Sequence, residues 1–180
     1  DAITGELPGR SGRFLDTVKG RRVVLIGAGG AARAVAFALA TEMGNTGSLS
    51  IVNRAGLKAE ELATAVCRVH GIGKAASETD LNLLLAKADL VVNASTKGQA
   101  GWRQGSAGGA FILEPYSALA PASPMQLDAS VTLDNRASRE WFVSNCDDIN
   151  RNAQTAREAI CVLSDTASCF DLVYTPLETR

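Results

Sequence analysis

Arg21-Arg22-Val23-Val24-Leu25-Ile26-Gly27-Ala28-Gly29-Gly30-Ala31-Ala32 is the stretch that decides the fold of this chain. An apolar run opens into three glycines, and these open into an alanine-rich segment with helical spacing. A buried parallel strand needs that order when it must turn sharply and present a helix N-terminus to an anion. In this reading Gly27 takes the tight turn. Gly29 lets the backbone approach a pyrophosphate, where a Cβ would collide with it. Ala32, small at the third fingerprint position, allows close helix–strand packing.

A Gly-x-Gly-x-x-Ala match is weak alone, so its surroundings must carry it. Ala32, Val35, Ala36 and Leu39 recur at i, i+3, i+4 and i+7, which predicts a helix with one apolar face. Gly44 and Asn45-Thr46-Gly47 end that helix. Leu49-Ser50-Ile51-Val52 then reads as a second strand, finishing in Asn53-Arg54. These segments form one complete βαβ unit. The competing reading is an ordinary strand–turn–helix whose glycine elbow holds no ligand.

The end of the second strand bears on which dinucleotide fits. An NAD site usually places a carboxylate there to accept hydrogen bonds from the adenosine ribose. Asn53 and Arg54 stand there instead. A carboxylate would repel a 2′-phosphate, whereas a guanidinium can grip it in a forked, charge-assisted pair. Lys58, one helical turn on, adds a second positive charge, so NADP is favoured over NAD. The alternative for Arg54 and Lys58 is two solvated charges at a loop–helix junction.

Composition narrows the class. The chain has 180 residues, 46% hydrophobic and 21% charged, as expected of one globular domain with a real core. Its formal net charge of -1 argues against a nucleic-acid surface. No apolar run reaches the length of a membrane span, and the expected location is the cytoplasm. The chain does not begin with Met, so it is expected to be a piece of a longer or processed polypeptide. Cys67, Cys146, Cys161 and Cys169 form no C-x-x-C pair, and with His70 as the single histidine no metal site is expected. The cysteines read as reduced, mostly buried thiols, and His70 as a cap on helix-end carbonyls.

Further along, Leu62, Ala65, Val66 and Val69 predict a second amphipathic helix closed by Gly71 and Gly73. A short helix follows over residues 79–87, with Leu81, Leu84 and Leu85 inward. Asp89-Leu90-Val91-Val92-Asn93 reads as another buried parallel strand, ending in Ala94-Ser95-Thr96. Ligands in open α/β sheets bind at the carboxyl ends of strands, so Ser95 and Thr96 share an edge with the glycine loop and Asn53. The alternative for Ser95-Thr96 is a turn that hydrogen-bonds its own backbone.

Residues 97–168 read less clearly. Gly98, Gly101, Gly105, Gly108 and Gly109 suggest a mobile loop around Trp102, which covers a cofactor or fills an apolar gap. Lys97 reads as a solvated loop residue. Trp141-Phe142-Val143 reads as a short strand. Asp147 or Asp148 reads as the N-cap of a helix with Ala153, Ala156, Ile160 and Leu163 on one face. The last strand is Cys169-Phe170-Asp171-Leu172-Val173-Tyr174. The fold class is therefore α/β: a doubly wound, mostly parallel, Rossmann-like sheet with helices on both faces. Residues 1–180 form a single dinucleotide-binding domain, with a lead-in at 1–20 and an atypical insertion at 97–168.

Four blocks in this order resemble the nucleotide-binding half of the shikimate/quinate dehydrogenase family. They are Leu25-Ile26-Gly27-Ala28-Gly29-Gly30-Ala31-Ala32-Arg33-Ala34; Ile51-Val52-Asn53-Arg54-Ala55 with Lys58-Ala59-Glu60-Glu61-Leu62-Ala63; Asp89-Leu90-Val91-Val92-Asn93-Ala94-Ser95-Thr96; and Phe170-Asp171-Leu172-Val173-Tyr174-Thr175-Pro176-Leu177-Glu178-Thr179. The resemblance implies that Ala28, Gly29, Gly30 and Ala31 contact the pyrophosphate, and that Asn53, Arg54 and Lys58 contact the 2′-phosphate. It puts Ser95, Thr96 and Leu172 near the ribose and nicotinamide, and Tyr174 on the substrate side. Asp1 stands where the family has an aspartate that partners a catalytic lysine.

The chain also departs from that pattern. Ala55 replaces the usual threonine, the segment between the third and fourth blocks is longer, and the substrate domain with its lysine is absent from this chain. What the resemblance implies is an NADP-dependent oxidoreductase passing hydride between NADP(H) and a small cyclic hydroxy acid or ketone. A non-catalytic NADP-binding module and a dehydrogenase with a different substrate are the alternatives. A pterin-linked one-carbon dehydrogenase fits the fourth block poorly. The expected partner is the hydroxy-acid substrate, not nucleic acid or membrane, and a homodimer stays open.

Overall fold

In the computed structural model, which describes residues 15–99, 101–104, 110–128 and 131–173, the opening apolar run is strand β1 (Arg22–Ile26) at the centre of a parallel sheet. It pairs on one side with β2 (Ser48–Val52) and on the other with β4 (Leu90–Asn93). β3 (Lys74–Ala76) lies outside β2 and β7 (Ser168–Asp171) outside β4, giving the order β3-β2-β1-β4-β7. A strand covered on both faces cannot alternate apolar with polar, which explains the unbroken Val23–Ile26 run.

Successive side chains of β1 divide between two cores. Val23 and Leu25 pack with Ala32, Ala36 and Leu39 of α1 (Gly30–Met43) and with Ala59 and Leu62 of α2 (Gly56–His70). Val24 and Ile26 face the other way, onto Leu81 and Leu85 of α3 (Leu81–Leu85) and Ala159 of α5 (Cys146–Val162). The chain is thus a doubly wound α/β sheet, as expected. The α2 face shifts slightly from its expected line: Ala59, Leu62, Ala63 and Val66 are buried, while Val69 stands 64% exposed. Gly71 ends α2 in the left-handed region at φ 71°, donating its N–H to the Cys67 carbonyl. His70 packs edge-on against Phe37 at 5.9 Å, rather than capping carbonyls through its ring.

The described residues between 97 and 168 form more regular structure than the loop, short strand and single helix expected there. β5 (Gly101–Gln104) and β6 (Ala110–Leu113) form an antiparallel hairpin. The Trp102 indole N–H donates to Asn135 Oδ1, at the start of α4 (Asn135–Ser144). That helix takes in Trp141-Phe142-Val143, so the expected strand there is corrected. Asp134 caps the helix by accepting from the Ala137 N–H at 2.7 Å, and Ala137 and Trp141, four apart, share its buried face. Apolar triplets carry no period, and the cap decided the outcome.

The α5 expectation is corrected too. Asn145, not Asp147 or Asp148, occupies the N-cap position, and the buried face is Ile149, Asn152, Ala156 and Ala159, with Ile160 56% exposed. Asp148 accepts from the Ser123 N–H instead. Tyr116, Ala122, Trp141 and Ile149 make a small third core within this region. The four cysteines are free and exposed rather than buried; three lie on the outer sides of α2 and α5, and Cys169 on the outermost strand β7. The expected helix over 79–87 is a 3-10 turn, Glu78–Asp80, leading into α3, and the last strand stops at Asp171. Among the described residues no helix is long and apolar enough to cross a membrane, and no group of three His, Cys, Asp or Glu could hold a metal ion.

Asp89 ties the starts of β1 and β4 together. Its carboxylate accepts from the Arg22 backbone N–H at 2.7 Å and from the guanidinium at 2.8 and 3.0 Å. Hydrogen bonding to the Arg22 side chain pulls the Asp89 carboxyl from 3.8 to about 2. A carboxyl depressed in the folded state stabilises it above the unfolded value and loses that effect as pH falls through the folded one. Asp89→Asn is therefore expected to lower stability at pH 7. The gap from the unmodified chain should close between about pH 4 and pH 2 in urea melts; a gap independent of pH would contradict this.

Candidate functional site

All five strands run the same way, so the C-terminal ends of β1, β2 and β4 meet at one edge of the sheet. Gly27 is the pivot. It sits at φ 116°, donates its N–H to the Val52 carbonyl at 2.8 Å, and lies against the backbone leaving β4. A Cβ there would come within 2.8 Å of the Ala94 carbonyl carbon and oxygen, so only glycine fits. The chain then enters α1 from Gly29, an N-cap position whose helix receives no side-chain cap. A Cβ built on Gly29 or Gly30 meets nothing within 4 Å, so these positions face open space.

A cleft of about 230 Å³ lies between these strand ends. Gly27, Ala28 and Gly29 line it from the β1 elbow, Asn53, Arg54 and Lys58 from the end of β2 and the start of α2, and Ser95 and Thr96 from the end of β4. Gly30 and Ala31 sit exposed at the head of α1, just outside the lining. Leu172 is also outside it, packed partly buried against the α1/α2 core with its N–H on the Asn93 carbonyl. Asp1 and Tyr174 lie outside the described residues.

Several lining groups are already engaged by the protein. The Asn53 amide donates to the Ala55 carbonyl at 3.1 Å. The Ser95 hydroxyl donates to Asn93 Oδ1 at 2.7 Å, while Ser95 Oγ accepts from the Lys97 N–H. The self-bonded turn and the cleft wall are thus the same residues. Arg54 is forked onto Glu114, Nη1 to Oε2 at 2.8 Å and Nη2 to Oε1 at 3.0 Å. Lys58 makes no ion pair among the described residues and is exposed.

Four participants carried no sequence signal. Lys97, read as solvated, is 5% exposed and donates to Glu78 Oε1 at 2.6 Å and to the Ala120 carbonyl at 2.9 Å. Burial pulls its ammonium below the ordinary lysine value, against the opposing pull of Glu78. The other Glu78 oxygen accepts from the Ala122 N–H. Asn93, buried, donates to the Lys97 carbonyl and to Asp171 Oδ1, joining the end of β4 to β7. Glu114 and Glu78 come from distant stretches, and only residue spacing within one element is readable from sequence.

Removing one member of a buried ion pair leaves the other charge uncompensated, which costs about 3–5 kcal/mol. Glu78→Ala is therefore expected to destabilise by that order, and Glu78→Met combined with Lys97→Met to recover most of the loss in chemical denaturation. An exposed pair would show a loss below about 1 kcal/mol and no recovery.

Comparison with known proteins places this geometry. The shikimate / quinate 5-dehydrogenase family matches residues 11–105. Shikimate dehydrogenase (NADP(+)) of Moorella thermoacetica is 43% identical over 86 residues, 44% of this chain and 27% of the relative. The curated relatives are matched over 26% to 33% of their own lengths. Shikimate 5-dehydrogenase from Listeria monocytogenes, solved with shikimate and NAD, shares the fold at a TM-score of 0.55 and 18% identity, over 91% of this chain and 42% of that one. Quinate dehydrogenase from Corynebacterium glutamicum, solved with NAD, does so at 0.53 and 22%, over 90% and 39%. With the family model matching over half its residues, the chain belongs to the shikimate/quinate 5-dehydrogenase family.

Proposed function

We propose that the cleft binds NADP and that the chain is the coenzyme-binding part of an oxidoreductase. The reaction passes hydride between NADP(H) and a small cyclic hydroxy acid or its ketone. One observation carries the reading: an uncapped helix start, with open space where Gly29 and Gly30 lack a Cβ, lies in the same cleft edge as two cations. Free amides at a helix N-terminus suit a diphosphate, and a guanidinium and an ammonium suit a phosphate monoester. The names of the curated relatives support the same coenzyme.

When bound, the coenzyme supplies the hydride chemistry. The chain's residues bind and orient it. The main chain from Ala28 to Ala31 holds the diphosphate. Asn53, Arg54 and Lys58 hold the adenosine 2′-phosphate. Ser95 and Thr96, in the cleft, would hold the ribose and nicotinamide half, with Leu172 just beyond the cleft after β7 on the same side. Proton transfer at the alcohol oxygen belongs to Asp1 with a lysine from the substrate-binding part, and Tyr174 receives the substrate carboxylate.

Gly29 stands at φ -83° with room around it, so the fold tolerates a side chain there while a bound diphosphate would not. Gly29→Val is expected to keep the melting temperature and abolish calorimetric binding of NADPH and NADH alike; undiminished binding would remove the elbow from the site. Arg54→Asp is expected to weaken NADPH by at least about tenfold and NADH far less, since hydrogen bonds to charged groups are worth about 1.5–3 kcal/mol. Equal losses for the two coenzymes would contradict the assignment of Arg54 to the 2′-phosphate.

A further inference from the structure

The guanidinium that the 2′-phosphate needs already has a partner. Glu114 meets Arg54 with two parallel hydrogen bonds, the same fork that Arg54 would offer a phosphate. Its side chain is 17% exposed and lines the cleft itself. We propose that Glu114 is a resident competitor for the 2′-phosphate and sets how strongly the cleft prefers a 2′-phosphorylated adenosine. This rests on the coenzyme reading above and deepens it.

The backbone cannot carry Glu114 away. Its carbonyl accepts from the Gly98 N–H at 3.1 Å, which fastens it to the loop after β4. Two residues on, Tyr116 is fully buried, and the Ser117 N–H donates to buried Asn152 of α5 at 2.7 Å. A phosphate reaching Arg54 therefore displaces the Glu114 carboxylate by side-chain rotation alone, and the displaced charge stays in the cleft wall.

The other groups do little to offset it. Lys97 is spent on Glu78, and the Asn53 amide, neutral, already gives one of its two N–H groups to the Ala55 carbonyl. Lys58 is left as the cation of the lining without an ion pair among the described residues. A phosphate monoester carrying about -1.5 to -2 charge at pH 7 thus meets a negative group held beside its own binding partner. Like charges set side by side act on specificity. A 5′-phosphorylated adenosine without the 2′-phosphate escapes most of this penalty.

The test uses the adenosine half alone, so it does not depend on turnover. The full chain, Glu114→Gln and Glu114→Ala are titrated calorimetrically with 2′,5′-ADP and with 5′-AMP, with melting temperatures recorded for each. Gln keeps the shape and one acceptor for Arg54 while removing the charge; Ala removes both and guards against a Gln-specific effect. The expected result is about tenfold tighter 2′,5′-ADP in both folded variants and a change below about twofold for 5′-AMP, the gain shrinking as salt rises. Unchanged or weaker 2′,5′-ADP binding in the folded variants, with the full chain still binding it, overturns the role of Glu114 and leaves the coenzyme site standing. Failure of every version to bind either nucleotide overturns the site and this role together.

Discussion

Gly27 has no side chain because there is nowhere for one to go. With a positive φ and the backbone of Ala94 and Ser95 packed where its Cβ would be, it lets β1 turn directly against the end of β4. Everything at the cleft inherits that close approach. It brings the loop after β4 beside the start of α1, and through the Gly27–Val52 hydrogen bond it fixes the end of β2 alongside both. A larger residue would force these strand ends apart and dissolve the edge on which the lining groups meet.

Two ion pairs then attach residues 97–168 to that edge, and they differ in kind. The Lys97–Glu78 pair is buried and braced by the Ala120 carbonyl and the Ala122 N–H, so it acts as a strut between the loop after β4, the turn before α3 and the segment after β6. Buried pairs of this sort hold geometry more than they add stability. The Arg54–Glu114 pair sits at the cleft mouth with its guanidinium side chain 42% exposed, where a ligand can reach it. The long segment between β4 and β7 is thereby both a support for the site and a contributor of charge to it.

The β1–α1–β2 unit was legible in the sequence because its signals are local and agree with one another: an apolar run, small residues at the elbow, helical spacing, and a glycine stop. Asn53, Arg54 and Lys58 could be placed at the cleft because strand direction alone puts them there. The described residues between 97 and 168 resisted because their structure depends on contacts between distant positions. Trp141-Phe142-Val143 looks like a strand until Asp134 caps the turn before it. Lys97 looks solvated until a carboxylate nineteen residues earlier is brought to 2.6 Å. Arg54 looks free until Glu114, sixty residues later, is folded onto it. Charge partners across elements leave no period to read.

A crystal structure grown with NADP+ bears most directly on the central idea, that an elbow emptied of side chains faces a diphosphate. The diphosphate oxygens should lie within hydrogen-bonding distance of the backbone amides at the head of α1, with the 2′-phosphate beside Arg54. Coenzyme density away from that elbow, or an elbow closed by protein atoms in the complex, would contradict the account.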